Sequence, residues 1–252
     1  MKILLTNDDG VHFKGLGVLY ETLTPHHQVT VVAPDRERSA IGHAITLSNP
    51  IRALQVFMNG GGSGYAVTGT PADCVKLGLL EILDTKPDMV IAGINPGANV
   101  GVNLNYSGTV AAAKEAALCG IAAIAVSMDG RDTLHYPEAA EFVRQLAETV
   151  HLRGLPAGTF LNVNLPNAPL RQAAGVRVSR QGLPTNSEYF EKRLDPRENP
   201  YYWQGCETQK FESHPEIDGS ALEGKYISIT PVKCDMTDYS ALEMLKDWEI
   251  DI

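Results

Sequence analysis

One stretch restricts this chain more than any other. Met1 is followed by Lys-Ile-Leu-Leu-Thr and then at once by Asn7-Asp8-Asp9-Gly10. Consecutive apolar residues over 2–6 predict a strand buried on both faces, as in a parallel sheet. Strong loop formers directly after it place two carboxylates at the strand's carboxyl end, where ligands bind in open α/β sheets. Adjacent carboxylates repel, which favours a bound cation. The same letters also describe a strand ending in a solvated Asp-Gly turn, so the rest of the chain has to decide.

Downstream, strand and helix patterns alternate. A helix is expected over 16–23, stopped by Thr24-Pro25, and a β-branched strand over 28–33, ended by Pro34. Gly15 and Gly17 begin a G-x-G, but Tyr20 stands where a dinucleotide fingerprint needs its third glycine. The loop 35–43 is charged and then small, and carries Ser39. Short runs at 51–57 and 65–68 around a glycine-rich turn read as a β-hairpin, and that turn has no P-loop lysine. Thr70-Pro71-Ala72-Asp73 opens a helix expected to reach about residue 83, with Thr70 as N-cap and Asp73 near the positive dipole end.

A buried strand at 89–92 leads into a second dense loop, 93–109, which holds four Asn and four Gly. Long ordered loops of this kind are often functional. Asn95 offers an amide oxygen just beyond the strand. Ser107-Gly108-Thr109 opens an Ala-rich helix over 110–118, either as an ordinary N-cap or as an anion site of exposed backbone amides. Further strands are expected at 121–126, 160–165 (Asn162 and Asn164 on one face), 176–179 and 226–231, and amphipathic helices at 137–150 and 239–248. Residues 182–218 mix Tyr189, Phe190, Tyr201, Tyr202, Trp203 and Phe211 with charges and prolines, which suggests an interface arm.

Composition narrows the class. A net charge of −9 argues against a general nucleic-acid binder. Cys74, Cys119, Cys206 and Cys234 lack any CxxC spacing and read as reduced core thiols of a cytoplasmic protein. No stretch is long and apolar enough for a membrane span or a signal h-region. His12, His26, His27 and His43 have no ligand spacing.

In a parallel sheet the loops after the first strands share one edge, so Asp8, Asp9, Ser39 and Asn95 converge there. An all-oxygen ligand set suits Mg²⁺ or Mn²⁺ rather than Zn²⁺. With an anion-binding helix start beside it, the edge suits a metal-bound phosphate.

LLTNDDG at 4–10, VVAPDRERSAIGHAIT at 31–46, GTPADCVKLGL at 69–79, AGIN at 92–95, YSGTVAAAKEA at 106–116 and ISITP at 227–231 together resemble the survival protein E (SurE) family. These are metal-dependent acid phosphatases, also called 5′/3′-nucleotidases, and the resemblance covers essentially the whole chain. It implies a Rossmann-like three-layer α/β/α sandwich with a mostly parallel sheet, a β-hairpin and an extended C-terminal oligomerisation arm. It implies one domain over 1–252, with a core of 1–181 and 219–252 and an arm at 182–218.

By the same resemblance, one divalent cation (Mg²⁺ or Mn²⁺) per subunit is held by Asp8, Asp9, Ser39 and Asn95. Phosphate falls on Asn95, Ser107, Gly108 and Thr109. Substrates are nucleoside 5′- and 3′-monophosphates, with short polyphosphate as a side activity, and the subunits form a homodimer or a dimer of dimers. Asp8 and Asp9 are the catalytic pair, with Asp9 favoured as general base in an in-line attack by water. An aspartyl-phosphate route and a non-catalytic nucleotide sensor are the alternatives. Ala40 and Ala44 depart from the Gly and Ser that relatives often carry.

Overall fold

The computed structural model describes residues 1–58, 61–130, 135–183, 188–206 and 210–248. Its centre is a nine-stranded sheet in the order β3-β4-β2-β1-β5-β6-β7-β11-β8. The strands are β1 (Lys2–Thr6), β2 (Gln28–Pro34), β3 (Ala53–Phe57), β4 (Ser63–Val67), β5 (Met89–Pro96), β6 (Ala122–Met128), β7 (Thr159–Leu165), β8 (Val176–Val178) and β11 (Ile227–Lys233). β4, β2, β1, β5, β6 and β7 run parallel, while β3 pairs antiparallel with β4 and β11 antiparallel with β7.

Alternation within the strands builds two cores. Ile3 and Leu5 of β1 face a cluster completed by Leu16, Leu19 and Leu23 of α1 (Lys14–Leu23) and Ala139, Val143 and Ala147 of α4 (Tyr136–Arg153). Leu4 faces the other side, against Cys74 and Val75 of α2 (Pro71–Leu77) and Ala112, Ala113 and Ala116 of α3 (Gly108–Leu118). The result is the expected three-layer sandwich. Because successive residues of a buried strand point to opposite layers, the apolar run after Met1 needs no polar break.

The sheet order also fixes where a site can form. The chain leaves β1 for β2 on one side and later returns to place β5 on the other side of β1. Order therefore reverses between β1 and β5, and the crevice at their carboxyl ends is the switch point favoured by ligands. Asp8 and Asp9 follow β1 directly, and Asn95 lies at the end of β5.

Several boundaries differ from the sequence expectation. The helix after Thr70 is regular only to Leu77 and continues as a π-turn over Gly78–Ile82. Gly78 opens that turn close against Leu4, where a Cβ would stand 3.0 Å from the side chain. The cysteines are not uniformly core residues: Cys74 is buried, Cys234 is half-buried and Cys119 is exposed. Asn59 and Gly60 of the glycine-rich turn lie outside the described residues.

Within the aromatic segment, β9 (Glu188–Leu194) and β10 (Pro200–Cys206) form a separate two-stranded antiparallel hairpin. Its Tyr189, Phe190, Tyr202 and Trp203 are all more than half exposed. The end of that segment behaves differently: Ile217 and Asp218 are buried, and Phe211 lies against Gly182 and Gly219. Asp218 begins α5 (Asp218–Glu223). The last helix, α6 (Tyr239–Lys246), buries no residue. Among the described residues no helix is long and apolar enough to cross a membrane.

Candidate active site

The β1 loop is locked from within. Asn7 donates its side-chain amide to the Gly10 carbonyl at 2.9 Å and accepts from the Gly10 N–H at 3.2 Å. Gly10 has φ +108°, a conformation that favours glycine. The loop is tied to its neighbour after β2 by Val11 N–H donating to the Pro34 carbonyl at 2.9 Å and Arg38 N–H donating to the Asp8 carbonyl at 2.7 Å. The Ser39 loop is thereby held beside the carboxylates.

Asp8 is buried at the start of α3. The Thr109 hydroxyl donates to its Oδ1, and the backbone N–H groups of Gly108 and Thr109 also act on it. Gly108 is required by close approach, since a Cβ there would stand 2.8 Å from the Asp8 Cβ. α3 is Ala-rich and buried nearly all round, which fixes where its N-terminus points. Burial raises the Asp8 carboxyl above its ordinary range despite these donors.

Asp9 is pushed up to about 8, first by burial and then by the negative charges of Asp8 and Glu37. Its Oδ2 is buried without a hydrogen-bond partner among the described residues. A buried carboxylate oxygen facing only negative neighbours is costly to ionise, and a cation removes that cost.

The remaining predicted residues are placed unevenly. Ser39 stands in the tethered loop, but its hydroxyl donates to Glu37 Oε1. The following Ala40 has φ +53°, so the departure from glycine sits in the left-handed region and strains this loop. Asn95 is half-buried and spends its amide N–H on the Gly97 carbonyl at 2.7 Å, leaving Oδ1 as the acceptor. Ser107 is the N-cap of α3, its Oγ accepting from Val110 N–H at 3.1 Å. Thr109 is fully buried and turned to Asp8. The helix start thus already holds one anion, the Asp8 carboxylate, which the sequence reading did not anticipate.

Three sets of supporting residues also escaped sequence reasoning. Asn99 is buried, with its N–H on Asn164 Oδ1 (2.8 Å), its side-chain amide on Ser127 Oγ (2.8 Å) and its carbonyl accepting from Asn162 Nδ2 (2.8 Å). The alternating asparagines of β7 therefore clamp the loop after β5. Asp218 accepts from the N–H groups of Gly101, Gly182 and Gly219 at 2.8–2.9 Å. Glu115 of α3 binds His43 Nε2 at 2.7 Å and Lys76 Nζ at 3.0 Å, which holds it below its ordinary range and ties the Ser39 loop to two helices.

Among the described residues no group of three or more His, Cys, Asp or Glu is placed to hold a metal. A set of two aspartates with a hydroxyl and an amide oxygen is of another kind. It fits a hard divalent cation by donor chemistry and by the unpartnered Asp9 oxygen.

The class that fold and site define is an α/β sandwich with an acidic loop at its topological switch and a helix N-terminus against it. The comparisons narrow that class. The family model described as "Survival protein SurE" matches residues 3–188. A "5′-nucleotidase SurE" from Desulfatibacillum aliphaticivorans is 58% identical over 251 residues, covering 100% of this chain and 99% of that one. Another, from Syntrophobacter fumaroxidans, is 48% identical and covers 99% and 100%. The crystal structure of the SurE protein from Aquifex aeolicus is 37% identical, covers 98% of each chain and superposes with a TM-score of 0.86. This chain belongs to the SurE family.

A cation held by Asp9 would need the ionised carboxylate, whereas burial and the charges of Asp8 and Glu37 push metal-free Asp9 up to about 8. Binding there would release a proton, and affinity would rise with pH until it levels near that value. Calorimetric Mn²⁺ titrations from pH 6 to pH 9 should show a gain approaching tenfold per unit below the plateau, the limit for one coupled proton. A flat profile would contradict the raised Asp9.

Proposed function

We propose that the chain is a 5′-nucleotidase, a metal-dependent phosphoric monoester hydrolase that releases phosphate from nucleoside 5′- and 3′-monophosphates. The observation that carries this reading is the carboxylate pair at the switch point, buried Asp8 and half-buried Asp9, with Asp9 Oδ2 buried and unpartnered among the described residues. The names of the full-length relatives agree with it.

One divalent cation per subunit, Mg²⁺ or Mn²⁺, would be held by Asp8, Asp9, Ser39 and Asn95. When bound it supplies positive charge to the phosphoryl group and lowers the pKa of water. Asp9 takes the proton of the attacking water as general base. Asp8, anchored by Thr109, stays fixed as Asp9 changes its proton. Asn95 and the α3 start at Ser107, Gly108 and Thr109 orient the phosphate in line and meet the charge that builds on its equatorial oxygens. The base is oriented by the Asn7–Gly10 turn, so its oxygens need no large search.

We assign the aromatic segment 182–218, exposed on its β9–β10 hairpin, to assembly of a homodimer or a dimer of dimers. The core would then comprise 1–181 and 219–252. A cytoplasmic location and hydrolysis of short polyphosphate belong to the same reading.

Phosphate release from a panel of 5′- and 3′-monophosphates, after chelation and resupply of Mn²⁺ or Mg²⁺, tests the assignment. Turnover should vanish with chelator and return with metal. Nucleotide binding without release would mark a sensor, and a phosphorylated aspartate trapped on the chain would defeat water attack.

A further inference from the structure

We infer that His43 is a positioning residue for Ser39, and that α3 sets the distance between two of the proposed cation ligands, gripping Asp8 through Thr109 and the Ser39 loop through Glu115. The inference rests on the proposed cation site and deepens it.

The loop after β2 is pinned on both sides of Ser39. Before it, Asp35 N–H donates to the Val67 carbonyl at 2.8 Å and Arg38 N–H to the Asp8 carbonyl at 2.7 Å. After it, Gly42 N–H donates to the Tyr106 carbonyl at 2.8 Å. The Ala44 carbonyl accepts from Thr70 Oγ1 at 2.8 Å, and Thr46 donates to Asp73 from its N–H at 3.0 Å and its hydroxyl at 2.6 Å. Residues 39–41 span the gap between these two sets of anchors. Ser39 is exposed, its hydroxyl donates only as far as Glu37 of the same loop, and Ala40 holds φ +53°. Where the Ser39 hydroxyl can point is therefore decided by how firmly the two ends of this short span are held.

His43 fastens the downstream end to α3. Its Nε2 meets Glu115 Oε2 at 2.7 Å, and an ionised carboxylate can only accept, so the ring donates. The acceptor is itself immobilised. The Glu115 side chain is 7% exposed on a helix buried nearly all round, and its other oxygen accepts from Lys76 Nζ of α2 at 3.0 Å. The other anchors run to β4, to the Asp8 loop, to the turn before α3 and to the start of α2; this one reaches along α3 itself.

That helix already holds Asp8, whose Oδ1 accepts from the Thr109 hydroxyl. Thr109 and Glu115 lie roughly 9 Å apart along one rigid axis. A cation shared by Asp8 and Ser39 would then meet two ligands spaced before it arrives, and less ordering would be left to binding. In this role His43 contacts neither cation nor phosphate; it acts through Ser39.

Equilibrium dialysis of Mn²⁺ without nucleotide, on the full chain and on His43→Ala, Ser39→Ala and the double variant, tests this. His43→Ala should weaken Mn²⁺ binding about fivefold, because the loop then presents Ser39 only part of the time and apparent affinity falls by that fraction. With Ser39→Ala already in place, the same change should cost less than about twofold, since nothing is left to position. His43→Gln, which can still donate to Glu115, should recover most of the affinity. Mn²⁺ affinity in His43→Ala equal to the parent, whatever its Tm, would overturn the inference and leave the Glu115 bond a packing tie. Losses that add in the double variant would overturn it as well. Should the parent bind no Mn²⁺, or Ser39→Ala bind it as tightly as the parent, the proposed ligand set fails and the inference falls with it.

Discussion

Asp9→Asn is expected to abolish metal-dependent phosphate release, with kcat/KM reduced by ~1,000-fold or more, while making the metal-free protein more stable at pH 8. Both effects come from one buried oxygen. The amide cannot take the proton of water and is a weaker ligand for a hard cation, so the base and a ligand are lost together. Stability moves the other way. Burial and the charges of Asp8 and Glu37 push the folded Asp9 carboxyl up to about 8, well above the ordinary carboxylate range. A carboxyl raised on folding leaves stability intact below the unfolded value and removes it as pH climbs towards the folded one. Asparagine never ionises and escapes that loss. A gain of even roughly 1 kcal/mol corresponds to ~2–4 °C in a chain this long. Thermal melts in chelator at pH 5 and pH 8 check it: the variant's advantage should be present at pH 8 and shrink at pH 5. Equal melting curves at pH 8 would contradict the buried, repelled carboxylate.

Asp218→Ala should be the most destabilising single change away from the site, at about 3 kcal/mol or more and roughly 6–12 °C in Tm. Its side chain is fully buried and accepts from Gly101, Gly182 and Gly219. Truncation strands three N–H groups in the interior, and no water reaches them without opening the fold. Gly101 belongs to the loop between Asn95 and Ser107, so activity should fall along with stability. Asp218→Asn keeps one acceptor oxygen and should lose less. Chemical denaturation of the two variants separates these cases, and an Ala variant within about 1 kcal/mol of the parent would contradict the anchoring role.

Much of this architecture is legible from local sequence. Short apolar runs, each ended by a small polar loop, give the parallel sheet and the edge where Asp8, Asp9 and Asn95 stand. Thr70 is the expected N-cap, with Oγ1 accepting from Asp73 N–H, and Asp73 at N3 adds a return bond, its Oδ2 accepting from Thr70 N–H. Such features involve residues three apart, so composition and spacing record them. The supports of the site are recorded nowhere locally. Asp218 and Gly101 are 117 positions apart, and Asn99 and Asn164 are 65 apart. One aspartate among 30 acidic residues carries no mark of burial. The Asn162 and Asn164 pair was visible as a polar face of β7, but its partner, the Asn99 backbone, became evident only once the sheet was assembled.

The helix start at Ser107 shows a different limit. Sequence indicates an anion site there, and the structure turns part of it, Gly108 and Thr109, to a carboxylate of the same chain. A side chain from the loop after β1 reaches α3 because β1 and β5 are neighbours, a consequence of topology rather than of either motif. The two dense stretches of the sequence thus act as one unit, with Asp8 of the first held by Thr109 of the second.

The most direct measurement is the anomalous difference map of a crystal grown with Mn²⁺ and inorganic phosphate. One Mn²⁺ peak per chain, contacted by Asp8, Asp9, Ser39 and Asn95 with phosphate at the start of α3, is the expected result. A peak elsewhere, or a site that leaves Asp9 unliganded, would contradict the account.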